Sequence, residues 1–379
     1  MSAWTTPERQ ALAESVTAFT KRHIAPNLAQ WEDDGELPRS LHKEAAAAGL
    51  LGVGFPEEVG GEGGDVVDVT VLSEAILAGG GSSGVLAGLF THGIATPHIV
   101  ASGNTDLIDR YVRPTLAGEL IGSLAVTEPG GGSDVASLTT RAERDGEHYV
   151  VTGSKMFITS GVRADFVTTA VRTGGPGHGG ISLLVIDKDS PGFTVSRPLR
   201  KMGWHCSDTA ELSFDAVRVP VANLVGEENG GFALIMQQFV GERLGLATHA
   251  YATAQRALDL TVDYVRERET FGRPLITRQS VRHTLVDMHR VTDAAREYAH
   301  RAIEKAAAGE QPVLEAVLAK NQAVEACDFV VDKAVQLHGG AGYLRESEVE
   351  RHYRDSRILG IGGGATEVLD DLAARLLGY

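Results

Sequence analysis

A glutamate and an arginine stand side by side at positions 242 and 243, in a stretch with the spacing of an amphipathic helix. Ile235, Phe239, Glu242 and Leu246 recur every three or four residues and share one helical stripe, while Met236, Val240, Arg243 and Ala247 form the neighbouring one. Adjacent helical positions do not face each other, so Arg243 does not simply neutralise Glu242. A carboxylate among apolar neighbours loses hydration, and its raised pKa suits a general base. The same pattern also fits a buried ion pair with another helix, and the residues alone leave both readings open.

Four further stretches offer ligand contacts. Thr127-Glu128-Pro129-Gly130-Gly131-Gly132-Ser133-Asp134 follows an apolar run ending at Val126. Its glycines let backbone amides approach a flat or charged ligand, and Ser133 adds a hydroxyl. The same residues also make an ordinary surface turn. Gly362-Gly363-Gly364-Ala365-Thr366 opens the last helical pattern, with Thr366 as a candidate N-cap and free amides that favour an oxygen ligand; a flexible link is the alternative. Arg266, Arg268, Phe271 and Gly272, followed by Gln279, can hold a phosphate beside an aromatic ring, or can merely compensate a helix end. Gln336 to Tyr343 reads as a glycine-rich ligand loop or as a helix C-cap and turn. His338 reads as a structural histidine, because no Cys, His or Asp spacing around it resembles a metal site, and no metal is expected.

The elements that must position these residues change character twice. Residues 1–120 are helical in pattern: Thr6-Pro7 caps and starts a helix carrying Leu12, Val16, Phe19 and Ile24, and Asn104-Thr105 opens another through Tyr111. Residues 121–225 switch to short β-prone runs, with Asp145-Gly146 as a hairpin signal, a flexible tip at Gly174 to Gly177, and a last strand over Glu211 to Val217. Residues 226–379 return to long helices: one running from Gly231 towards Arg268, then Gln279 to Lys305, Val313 to Leu337, and Thr366 to Leu377. The predicted class is α+β, with an N-terminal helical domain, a small central β-barrel or sandwich, and a C-terminal four-helix bundle.

Composition limits the partners. The chain has 379 residues and a formal net charge of −15, which disfavours nucleic acid and anionic membrane as main partners. Two cysteines, Cys206 and Cys327, make no disulfide framework and suggest a reducing compartment. The first residues mix charges among apolar positions without an export-signal core, so a soluble cytoplasmic protein is expected.

Taken together, these stretches resemble the acyl-CoA dehydrogenase family, flavoproteins that introduce a double bond between the α and β carbons of a thioester. The resemblance spans nearly the whole chain and rests on Ala125 to Asp134, Lys155 to Gly161, Phe214 to Gly226, Arg268 to Gly272 with Gln279, Gln336 to Tyr343, and Tyr353-Arg354-Asp355. It implies FAD wedged between the β-domain and the bundle. Leu124, Val126, Thr127, Gly132 and Ser133 would line it, Phe157, Ile158 and Thr159 would flank the ring, and Thr366 and Glu367 would complete the set. Arg268, Phe271 and Gln279, with Gln336, Gly339 and Gly340, would reach the cofactor of a second subunit in a homotetramer.

Many members place their catalytic glutamate where this chain has Gly363. Isovaleryl-CoA and long-chain acyl-CoA dehydrogenases instead take it from a Glu-Arg pair on the first bundle helix, so the resemblance implies Glu242 as base. Ser133, Arg243, Gly363 and Gly364 would line the acyl-thioester path, and electrons would leave through an electron-transfer flavoprotein. Alternatives on the same fold are a dehydrogenase of carrier-protein thioesters and a flavin oxidase or monooxygenase. Phe157 stands where many members have tryptophan, Ala365 where threonine is common, and Ala233 where tyrosine is common.

Overall fold

The computed structural model describes residues 3–379. The N-terminal part is built of helices whose ends are chemically marked. Thr6 accepts from the Arg9 N–H, Pro7 occupies the first turn, and the helix Pro7–Phe19 buries Val16 and Phe19. It packs against Val66–Ala78, where Asp65 and Asp68 form a capping box that Arg9 grips from the neighbouring helix. Asn104 caps Thr105–Leu107, but the helical path continues beyond Tyr111, through a wide turn at Ile108–Val112 into Arg113–Leu116.

The middle part is a single sheet of β1 (Gly122–Ala125), β2 (Arg141–Asp145), β3 (His148–Thr159), β4 (Phe166–Arg172), β5 (Ile181–Asp187), β6 (Phe193–Pro198), β7 (Thr209–Pro220) and β8 (Leu224–Val225). Its order is β6-β7-β3-β2-β4-β5-β8, with β1 parallel to β4, and it curls until β5 meets β7. The Asp145-Gly146 turn joins β2 to β3, with Asp145 paired to His148 and Gly146 at φ 60°. β7 extends beyond the expected Glu211–Val217 at both ends, and β6 had no counterpart in the sequence reading. Alternation sorts the sheet's side chains. Val167, Val171, Leu184 and Ile186 meet Val151, Leu212 and Phe214 inside, while Phe166, Ala170, Leu183 and Val185 face helical residues such as Ile99, Tyr111 and Ile235.

The bundle consists of Gly231–Glu267, Gln279–Ala307, Val313–His338 and Thr366–Leu377. Alanines at 247, 250, 254, 257, 316, 319, 323 and 326 are buried, which lets the long helices approach closely. A short helix, Glu348–Ser356, precedes the last one and ties the three parts together. Its Arg354 donates to Glu32 at 2.9 Å, Glu32 accepts from the Cys206 N–H at 3.0 Å, and Asp355 accepts from the Trp204 N–H at 2.6 Å. The relative placement of sheet and bundle is thus held by buried polar contacts as well as by apolar packing.

Candidate active site

Glu242 sits one-third of the way along the first bundle helix, half-buried between fully buried Ile235 and Leu244. Burial pushes its carboxyl above the usual glutamate range, against the pull of Arg243 and Lys320. A Cβ built on Gly363 would stand 3.5 Å from Glu242 Oε1 and would run into Leu246. Gly363 and Gly364 have φ of 65° and 102°, a left-handed path that side chains disfavour. The turn therefore passes beside the carboxylate only as bare backbone. Neither the Gly363 nor the Gly364 N–H has a hydrogen-bond acceptor among the described residues. A carboxylate and free amides thus share one small space.

Two consecutive residues of the third bundle helix hold that turn. Lys320, fully buried, donates from Nζ to the Gly364 carbonyl at 2.6 Å. Asn321 donates to the Thr366 carbonyl at 3.1 Å and to Asp370 at 2.8 Å. Thr366 is not the N-cap; Ala365 holds that position, and the Thr366 hydroxyl donates back to the Gly360 carbonyl at 3.3 Å. Glu367 is exposed on the first turn of that helix. Lys320 and Asn321 escaped the sequence reading. The available signal was a lysine on the stripe of Ala316, Val317, Ala323 and Val324, a position where a chain without a partner for it would carry an apolar residue. Arg243 is 8% exposed, its guanidinium lies 5.3 Å from the Phe239 ring centre, and its Nε has no hydrogen-bond partner among the described residues.

The glycine-rich loop is organised by a buried ion pair. Lys155 on β3 donates to Glu128 at 2.9 Å and to the Val126 carbonyl at 2.9 Å. Glu128 also accepts from the Thr139 N–H and hydroxyl and from the Thr140 N–H, at 2.7 to 2.8 Å. Burial alone would raise the Glu128 carboxyl, but the Lys155 charge and these hydrogen bonds bring it down to about 2. Its charge is consumed inside, so the loop turns glycines outward: Gly130 and Gly131 have open space where a Cβ would be. Leu124, Val126 and Thr127 are partly accessible, and Gly132 and Ser133 are exposed.

Beside this loop, a bulge in β3 between Lys155 and Ile158 turns Phe157 to φ 63° and leaves its ring 64% exposed. A bulky residue held in a left-handed conformation with its ring in the open is strained in the manner common at ligand sites. The Ile158 side chain is committed to the sheet interior, so only its backbone remains for a ligand, whereas Thr159 is partly accessible.

Arg268 does not join Glu242 within one chain. The helix they share rises about 1.5 Å per residue, which separates them by roughly 40 Å. Arg268 instead gathers with the Gln336 to Gly340 stretch, since Tyr264 one turn earlier stacks on His338 at 4.2 Å and donates to its carbonyl at 3.2 Å. Phe271 and Gly272 form the tip of a two-residue hairpin between Glu269–Thr270 and Arg273–Pro274, with φ of 51° and 76°. Phe271 is 98% exposed, and Arg268, Gln279, Gln336, Gly339 and Gly340 are exposed as well. The sequence candidates therefore form two groups at opposite ends of the bundle.

An outward glycine loop, an open aromatic ring at a strand bulge and a desolvated carboxylate beside free amides fit a flavin dinucleotide and an acyl thioester. Such a site is compatible with an FAD-dependent oxidoreductase. Comparison with known proteins agrees: family models match as acyl-CoA dehydrogenase N-terminal domain over residues 6–119, middle domain over 123–217 and C-terminal domain over 229–378. The chain belongs to the acyl-CoA dehydrogenase family. It is similar to a probable acyl-CoA dehydrogenase of Mycobacterium abscessus, with 65% identity, TM-score 0.98 and coverage of 99% of this chain and 100% of that one. An acyl-CoA dehydrogenase of Bacillus subtilis is 36% identical over 96% of both chains. A chain in the structure of an electron transferring flavoprotein of Acidaminococcus fermentans is 31% identical, with TM-score 0.94 and coverage of 100% and 99%.

Proposed function

We propose that this FAD-dependent acyl-CoA dehydrogenase uses Glu242 as the base that takes the α-proton of the acyl thioester. The observation that carries this reading is the desolvated carboxylate lying against the bare Gly363 turn, where among the described residues no other acidic side chain acts on it. Lost hydration raises the proton affinity of Glu242, and a base of higher proton affinity takes a weakly acidic C–H more readily. The unpaired Gly363 and Gly364 amides are available to the thioester oxygen, where negative charge develops as the proton leaves. The buried guanidinium of Arg243 adds positive potential along the same path.

When bound, FAD supplies the acceptor for the β-hydride. Leu124, Val126, Thr127, Gly132, Ser133, Phe157 and Thr159 are the accessible positions that would hold it. The exposed Arg268, Phe271, Gln279, Gln336 and Gly339–Gly340 group is suited to the dinucleotide of a second copy, and the homotetramer rests on the family resemblance. An electron-transfer flavoprotein as acceptor is supported by the likeness to the A. fermentans chain. A cytoplasmic location accords with the absence of any single described helix long and apolar enough to cross a membrane.

Anaerobic mixing of the yellow protein with straight, branched and aromatic acyl-CoAs tests the reading. Bleaching of the flavin band by one class is expected. Bleaching only by carrier-protein thioesters, or rapid peroxide formation in air, would contradict it.

A further inference from the structure

Lys320 is a lysine with no exposed surface, on a helix whose surrounding face is alanine and valine. A buried ammonium is costly unless its protons are engaged and its charge is balanced. Among the described residues it makes one hydrogen bond, to the Gly364 carbonyl at 2.6 Å, and no ion pair within 4.0 Å. The groups that act on it electrostatically are Arg243 and Glu242, and burial with the nearby Arg243 brings it down to about 8. The acidic group that acts on it is the candidate base, Glu242.

The hydrogen bond has a geometric consequence. Gly363 and Gly364 both follow left-handed φ, so the turn has no side chain of its own to fix its direction. Backbone bonds hold its two ends, Gly362 N–H to the Ile358 carbonyl and Leu369 N–H to the Ala365 carbonyl, and side chains add Lys320 on the Gly364 carbonyl, Asn321 on the Thr366 carbonyl and Thr366 on the Gly360 carbonyl. Pulling the Gly364 carbonyl towards the third bundle helix holds the turn in the conformation that leaves the Gly363 N–H free beside Glu242. The charged groups acting on Glu242 are Arg243 on its own helix and Lys320 across from it; the Gly362–Ala365 turn brings none.

We propose that Lys320 is a positioning residue of the active site, fixing the Gly362–Ala365 turn and supplying the countercharge that keeps Glu242 ready to accept a proton. This rests on the reading of Glu242 as base. Arg243 also acts on Glu242, but it lies on the same helix as the base, and among the described residues it makes no hydrogen bond to the turn. Among the described residues, Lys320 is the one group that both acts on the base electrostatically and bonds the backbone of the turn.

The test uses the flavin-loaded Lys320→Met, Lys320→Gln and Lys320→Arg enzymes, with Glu242→Gln as reference. Flavin content, KM and the pH dependence of kcat are measured with the acyl-CoA that bleaches the wild type. Lys320→Met and Lys320→Gln should keep flavin and change KM less than about threefold, while the ascending limb of kcat moves up by about one pH unit. Lys320→Arg, which keeps the charge, should leave that limb near the wild-type position. If Lys320→Met does not fold, the Gln and Arg pair decides. Profiles of the uncharged variants that superimpose on wild type overturn the role of Lys320, even with Glu242→Gln inactive. An active Glu242→Gln enzyme instead overturns the base assignment, and this proposal with it.

Discussion

The Glu242 carboxylate lies 3.5 Å from the point where a Cβ on Gly363 would stand. Two positions far apart in the chain, one on a helix and one in a turn, thus address the same point in space. A carboxylate can reach that point from either backbone, but Leu246 fills the space a side chain at 363 would need. The helix supplies the acid and the turn supplies amides.

Substitution at 363 should therefore be costly in two ways. Gly363→Ala combines a positive φ with a collision against Leu246, and should lower stability by about 1–3 kcal/mol while displacing Glu242 and reducing kcat. Moving the base, as Glu242→Gln with Gly363→Glu, should recover no measurable turnover unless Leu246→Ala makes room. Thermal unfolding and steady-state kcat on the three combinations check this; full recovery without the Leu246 change would show that the space is not occupied as described.

Phe157 holds a left-handed φ of 63° with its ring mostly in the open. The β3 bulge between Lys155 and Ile158 sets that conformation, and the open ring it presents is suited to stacking on a bound ring. Phe157→Gly should stabilise the flavin-free protein by about 1 kcal/mol and weaken flavin retention at the same time. Unfolding of apoprotein and a flavin dissociation titration separate the two effects, which should have opposite signs.

Glu128 and Lys155 are buried together, so removing one partner leaves an uncompensated charge. Lys155→Met should cost about 3–5 kcal/mol, and adding Glu128→Gln should return part of it. The folded Glu128 carboxyl sits at about 2, below its unfolded value near 4.3, so its contribution is complete above that unfolded value. It is lost as pH falls from there towards 2. Acid unfolding of Glu128→Gln should show a shallower pH dependence in that window than wild type does.

Much of the bundle was legible because its helices carry apolar stripes and end in strong signals. Gln279–Ala307 and Val313–His338 run within two residues of the ranges read from pattern. β6 escaped because its alternation is short: Phe193 and Val195 turn inward and Thr194 and Ser196 outward, but the exposed Arg197 and Pro198 end the pattern. Glu348–Ser356 escaped because it is built of Glu, Arg, His and Asp, and is held by ion pairs such as Arg354 with Glu32 and Glu350 rather than by an apolar face. Glu242 was visible through its stripe neighbours. Lys320 was not singled out because a lysine in an apolar run usually extends to solvent, and only tertiary packing against the Gly364 turn gives it a partner. Thr366 was misplaced as a cap for a similar reason: its hydroxyl finds the Gly360 carbonyl before the helix N–H groups.

The base assignment is tested most directly by Glu242→Gln, followed as anaerobic flavin bleaching by the acyl-CoA that reduces wild type. Glutamine keeps the shape and removes the basic oxygen, so flavin content should be unchanged and the bleaching rate should fall by about a thousandfold or more. In wild type the same rate should rise with pH through a value above the ordinary glutamate range, because burial raises the carboxyl's affinity for its proton. A Glu242→Gln enzyme that bleaches at the wild-type rate would contradict the account.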